Sequence, residues 1–112
     1  MTQQLTDNYI KICMKTWLLC ESCIHAELNS EAPRYDLVDE CSQCAKSCFA
    51  VVSRLVSQAD DMGDLVLNCI LHCRQCAGIC SQYSGESDIE LCGDVCETCG
   101  NALVDIAEFS LN

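Results

Sequence analysis

The sequence predicts an all-α protein, an antiparallel up-down four-helix bundle with a cysteine-lined core, with residues 1–112 forming one domain. Three observations predict it. The 13 cysteines recur at steps of three and four residues, which places each set along one side of a helix. The chain is interrupted by short polar segments, and loops that short favour antiparallel neighbours. No segment shows sustained period-2 alternation flanked by hairpin turns, so no sheet is expected.

Each helix follows from a local signal. The first is expected from about Thr6 to Leu28, stopped by Asn29, Ser30 and Pro33. The second runs from about Pro33, a residue suited to a first helical turn, to Gln58. Asp60, Asp61 and Gly63 make a tight turn, with Asp60 or Asp61 as the N-cap of a third helix from about Met62 to Tyr83. Ser84 and Gly85 end that helix. Ser87-Asp88-Ile89-Glu90 has the S-x-x-E form of a capping box, so the fourth helix starts there and runs to about Phe109.

Spacing says more than number. Cys69, Cys73, Cys76 and Cys80 step by four, three and four, Cys92, Cys96 and Cys99 by four and three, and Cys41, Cys44 and Cys48 by three and four. Cys13 and Cys20 are seven apart, and Cys23 follows by three. At 100° per residue each set spans an arc of roughly 60–80°. The thiols thus take the seam positions that Leu and Val normally fill. The sets at Cys13–Cys23 and Cys41–Cys48 lie near the first loop, and those at Cys69–Cys80 and Cys92–Cys99 near the third. In an antiparallel bundle those loops share one end, so all four sets overlap at one height. The other end collects Leu5, Ile10, Val51, Val52, Leu55, Val56, Leu65, Val66, Leu67, Leu103, Ile106 and Phe109. The expected core is therefore split into an aliphatic plug and a thiol-lined tube.

Composition narrows the function. With 17 acidic and 6 basic residues the formal charge is −11, which argues against nucleic acid and anionic lipid as partners. No apolar run approaches the roughly 18 residues of a membrane span. Met-Thr-Gln-Gln-Leu-Thr-Asp at the start has neither a basic nor an apolar stretch. A cytoplasmic protein is expected, the alternative being an exported chain whose signal peptide has been removed. An odd cysteine count leaves a closed disulfide framework one thiol over, and a reducing cytosol favours free thiols. No nucleophile–base–orienter set and no Gly-rich phosphate loop emerges, so no enzyme is expected.

One or two seam cysteines would need no function, because cysteine packs as a small hydrophobe. Thirteen at one level make a narrow core open to oxidation, which a structural role alone does not explain. Thiolates are soft donors suited to Cu(I), Zn(II) and iron–sulfur clusters. Zinc wants closed four-ligand tetrahedra, usually from loops that wrap the ion, and clusters want a cage of four cysteines. Cu(I) takes two or three sulfurs, and one thiolate can bridge two ions. A continuous seam then holds a string of ions, approaching about one ion per sulfur. Each Cu(I) displaces one thiol proton, so filling leaves the net charge nearly unchanged. The expected ligands are Cys13, Cys20, Cys23, Cys41, Cys44, Cys48, Cys69, Cys73, Cys76, Cys80, Cys92, Cys96 and Cys99. An iron–sulfur electron-transfer protein and a zinc or thiol buffer stay as alternatives.

The pattern resembles the bacterial copper storage protein family. Cys69-x3-Cys73-x2-Cys76-x3-Cys80, a short polar loop and Cys92-x3-Cys96-x2-Cys99 look like that family's third and fourth helices, as does the text Leu-Cys-Gly-Asp-Val-Cys-Glu-Thr-Cys. Cys20-x2-Cys23 and Cys41-x2-Cys44-x3-Cys48 match more loosely. The resemblance implies storage of multiple Cu(I) ions inside a bundle, homo-oligomers (tetramers in the family), and copper ions and a copper chaperone as partners. Ile89 and Leu103 stand where the stripe would accommodate cysteine, and Trp17 is expected at a seam position of a sparse first helix. A capacity below that of the richest members follows.

Other polar and soft residues are expected to lie outside the tube. His25 reads as an exposed helix-end residue rather than an intake ligand, and His72 points about 100° off its stripe. Met14 is off-axis and Met62 lies at the aliphatic end. Glu21, Glu27, Asp39, Glu40, Asp94 and Glu97 read as solvated outer faces.

Overall fold

The computed structural model describes residues 2–58, 61–83 and 85–111, with side chains outside the description at 109–111. It contains four α-helices, α1 (Gln3–Leu28), α2 (Tyr35–Val56), α3 (Gly63–Cys80) and α4 (Ser87–Leu111), and a 3₁₀ turn at Ser81–Tyr83. No strand occurs among the described residues. The helices pack into a bundle of 45 × 21 × 20 Å, its length set by 26 residues of α1 at about 1.5 Å rise each.

Capping accounts for the differences from the expected boundaries. The first helix starts earlier than Thr6 because the Thr2 hydroxyl accepts from the Leu5 backbone N–H and supplies an N-cap. Pro33 stays outside α2, whose N-cap is Arg34. The N-cap of α3 is Met62, without a side-chain cap, so Asp61 does not play that part, and Asp60 lies outside the described residues. Past the 3₁₀ turn, Gly85 takes φ +94, the left-handed region that glycine tolerates, and its N–H donates to Glu90 Oε1. The carboxylate of the expected capping box therefore serves Gly85 instead of Ser87.

The sense of packing is written in side-chain pairs. Along α2 and α3, Cys41 meets Cys76, Cys44 meets Cys73 and Cys48 meets Cys69. Along α1 and α4, Cys13 meets Cys99 and Cys20 meets Cys92. Rising numbers on one helix pair with falling numbers on the other, so both pairs run antiparallel. Between α3 and α4 two glycines set the spacing. A Cβ on Gly93 would stand 2.8 Å from the Cys80 Cβ, and one on Gly100 3.3 Å from the Cys73 Cβ. Seven residues apart on α4, these glycines let the two cysteine helices approach closely.

The aliphatic plug is present but narrower than expected. Val51, Val52, Leu55, Val66, Leu103 and Ile106 are buried there, joined by Tyr9, Met62 and Ala107. Leu5, Val56 and Leu67 are exposed instead, because each sits off its helix's seam. Ile10 and Leu65 are half-buried, and the Phe109 side chain lies outside the described residues. Truncating Leu103, fully buried, to Ala should cost about 2–5 kcal/mol of stability. Truncating Val56, 65% exposed, should change it by less than ~0.5 kcal/mol. Thermal melts of the reduced apoprotein followed by circular dichroism check both.

Candidate metal centre

All thirteen cysteines are buried free thiols. They fall into layers perpendicular to the bundle axis, one residue per helix, because steps of three and four return each helix to the same face. Next to the aliphatic plug, the Cys13 and Cys99 sulfurs are 4.0 Å apart and those of Cys48 and Cys69 3.6 Å. In the following layer Cys44 lies 3.7 Å from both Cys73 and Cys96. Then come Cys20, Cys41, Cys76 and Cys92, with Cys41–Cys76 at 3.6 Å and Cys20–Cys92 at 3.9 Å. Cys23 and Cys80 follow on α1 and α3, with Leu37 and Ile89 filling the same layer on α2 and α4. Layers also touch one another, through Cys20–Cys96 at 3.7 Å and Cys69–Cys73 at 4.0 Å.

These separations are contacts between thiols, well beyond the roughly 2.05 Å of a disulfide. An ion about 2.3 Å from each sulfur would fit between them with little movement. Three groups have mutual sulfur separations within 4.8 Å: Cys20, Cys44, Cys76 and Cys96; Cys20, Cys41, Cys76 and Cys92; and Cys44, Cys48 and Cys73. Cys20 and Cys76 belong to both four-sulfur groups, and Cys44 links one of these to the third. The donors are a connected network, not a set of separate cages.

The acid–base state follows from burial and crowding. Contacts with Cys41, Cys44, Cys76 and Cys92, together with burial, push the Cys20 thiol well above its ordinary range. Contacts with Cys13, Cys44, Cys69 and Cys73 do the same at Cys48. At Cys23 the Cys41 contact lowers the pKa, but Cys92 and burial outweigh it and leave it pushed up to about 12. Elsewhere neighbouring thiols donate to the sulfur and favour the thiolate: Cys20 and Cys41 bring Cys76 down to about 6, and Cys44 and Cys92 are also lowered.

Four residues stand where the sequence pattern did not put them. The α1 seam position between Cys13 and Cys20 belongs to Thr16, fully buried, its hydroxyl donating to the Ile12 carbonyl at 2.8 Å. Trp17 is rotated out of the seam against Phe49, ring centroids 5.8 Å apart. Glu27 is buried, not solvated, because it continues the Cys13–Thr16–Cys20–Cys23 seam and is bonded to Arg34. Glu40 is half-buried and lies 3.1 Å from His72 Nδ1. Its outward-facing partner His72, like the exposed His25, contributes nothing to the thiol layers. Glu21, Asp39, Asp94 and Glu97 are exposed as expected.

Arg34 and Glu86, which no sequence motif marks, close the tube beyond Cys23. Arg34 N and Nε each donate to Glu27 Oε1 at 2.8 Å, and Nη2 to Glu27 Oε2 at 2.9 Å. Nη1 and Nη2 donate to the Glu86 carboxylate at 2.7 and 2.9 Å. The guanidinium carbon sits 4.4 Å from the Tyr83 ring centroid. The first and third loops are thereby tied together at one end, as the cysteine alignment requires. Arg34 holds the Glu27 and Glu86 carboxyls below their usual range.

A family model described as copper storage protein, Csp, matches residues 2–108. The chain belongs to the copper storage protein family. No curated protein and no solved structure matches it. The family's role is copper storage, and in this copper storage protein the buried sulfur clusters are able to hold metal ions.

The raised thiols make a stability prediction. A thiol such as Cys23 holds its proton more tightly folded than unfolded, so its stabilising contribution is complete below the unfolded pKa of about 8.5. That contribution is lost as pH rises through the folded value of about 12. The Tm of the reduced apoprotein should fall from pH ~8 upward. The copper-loaded protein, with those protons already displaced, should show little of this fall, and anaerobic melts across a pH series check it.

Proposed function

We propose that this chain stores copper as Cu(I), many ions per chain, on Cys13, Cys20, Cys23, Cys41, Cys44, Cys48, Cys69, Cys73, Cys76, Cys80, Cys92, Cys96 and Cys99, and that it catalyses no reaction. What supports the reading is the sharing of Cys20 and Cys76 between two four-sulfur groups. Closed zinc tetrahedra at both would compete for the same two ligands. A cuprous ion satisfied by two or three sulfurs, each bridging to the next ion, uses a connected network without leaving donors over. An iron–sulfur cluster would occupy one cage and leave most of the thiols idle.

Loading exchanges one proton for one cation at each sulfur that starts as a thiol and neutralises each that starts as a thiolate, so the buried core gains no large uncompensated charge. The thiols raised by neighbouring sulfurs and by burial set the proton demand, and uptake weakens as pH falls because protons compete for the same sulfurs. Copper ions, delivered by a copper chaperone, are the proposed partners, in a cytoplasm that keeps the thiols reduced. The proposed assembly is a homo-oligomer, a tetramer by family likeness, of single-domain bundles spanning residues 1–112.

Anaerobic titration of the reduced apoprotein with Cu(I), followed by metal analysis, tests the reading. Uptake should continue toward about one ion per sulfur without strong visible colour, releasing a proton at each sulfur that starts as a thiol and so fewer than one per ion in total. Saturation at one or two ions, or a brown iron-containing protein, would overturn it. Cys76→Ser and Cys96→Ser should each lower the copper-to-protein ratio while keeping the helical circular dichroism signal. Thr16→Cys, which places a sulfur in the one gap of the α1 seam, should raise the ratio by about one ion.

A further inference from the structure

The sulfur tube is closed differently at its two ends. Beyond Cys13, Cys48, Cys69 and Cys99 come the buried side chains of Val51, Val66, Leu103 and Tyr9. Beyond Cys23 and Cys80 the next groups are Glu27, Arg34, Tyr83 and Glu86, held to one another by charge and by the aromatic face. A cavity opens beside this clamp, lined by Cys23, Glu27, Arg34, Glu86 and Ile89. Cys23 is 7% exposed, whereas every other cysteine is at 1% or less.

We propose that Cys23 is the exchange port for copper and that Arg34 gates it, the ion passing between solvent and tube when the Arg34–Glu86 bridge opens. This rests on the storage reading above. The two halves of the clamp are unequal. The Glu27 side chain is 6% exposed and also receives the Arg34 backbone N–H, so that half is anchored. The Glu86 side chain is 50% exposed, and an ion pair so open to water is weak and screened by salt. The outer half therefore opens first, letting the Glu86 carboxylate swing off the cavity over Cys23 while the guanidinium stays bonded to Glu27. In uptake the Cys23 sulfur takes Cu(I) from a thiolate donor, and the donor sulfur takes the proton that Cys23 loses. No electron is transferred. Release to a chelator reverses the exchange, and Cys23 regains a proton from water.

The test mixes the copper-loaded full chain with excess bathocuproine disulfonate and follows formation of its cuprous complex by absorbance. Glu86→Gln weakens the outer half of the clamp, and Arg34→Met removes both halves. The two variants change net charge in opposite directions. Both should speed the initial transfer, Glu86→Gln by roughly fivefold and Arg34→Met by more, with the copper-to-protein ratio at saturation unchanged. Salt screens repulsion between the acidic chain and the anionic probe in every variant, so raising it should speed the wild type by a larger factor than Arg34→Met. Unchanged rates in both variants, or one faster and one slower as charge on an anionic probe would dictate, overturn the gate. If circular dichroism shows Arg34→Met unfolded, Glu86→Gln alone decides. A wild-type ratio of one or two, measured before mixing, instead sinks the storage reading and is read independently of any rate.

Discussion

Sulfur atoms from four helices touching at 3.6–4.0 Å in a buried core constrain the rest of the molecule. A thiol is small, so a layer of cysteines draws the helices closer than a layer of leucines would, and contributes less apolar area while doing so. The close approach is met where Gly93 and Gly100 face Cys80 and Cys73. The missing apolar area is supplied at the ends. Val51, Val66, Leu103 and their neighbours hold one end together by burial, and Arg34 ties two loops together at the other.

The same crowding links metal capacity to proton chemistry. A single thiolate in a buried core is costly, and a cluster of them more so, which is why neighbouring sulfurs and burial raise Cys20 and Cys48. Neighbouring thiols can relieve that cost locally by donating to a sulfur, as at Cys76. A monovalent cation entering as a proton leaves relieves it everywhere. The network is thus suited to cargo exchanged for protons one at a time, and less suited to a divalent ion that needs a closed cage. Among the described residues the carboxylates stay outside the thiol layers. The buried one, Glu27, is paired with Arg34, which keeps an unbalanced negative charge away from the last layer of sulfurs.

How much was legible in the chain differs from residue to residue. Steps of three and four are a direct readout of a helical face, so the seams of α2, α3 and α4 could be read down to Ile89 and Leu103 as buried non-sulfur positions. On α1 no cysteine marks the seam between Cys13 and Cys20, and Trp17 is the residue the sequence leads one to expect there. Thr16 takes that place because a threonine hydroxyl can bond its own helix at Ile12, whereas an indole is too large for a layer of thiols. Glu27 departs from the expected exposure for a related reason. Charge suggests solvent, and only a partner brought in by another segment reverses that expectation.

The sequence by itself determined four helices, their cysteine faces and the overlap of those faces at one end, since helical periodicity and loop length are local properties. Tertiary structure alone decided which sulfurs share a site, how far apart they lie and what closes the tube. Those depend on the rotation of each helix about its axis and on distant pairs such as Arg34 with Glu86. Such contacts join residues far apart along the chain and leave no periodic trace in it.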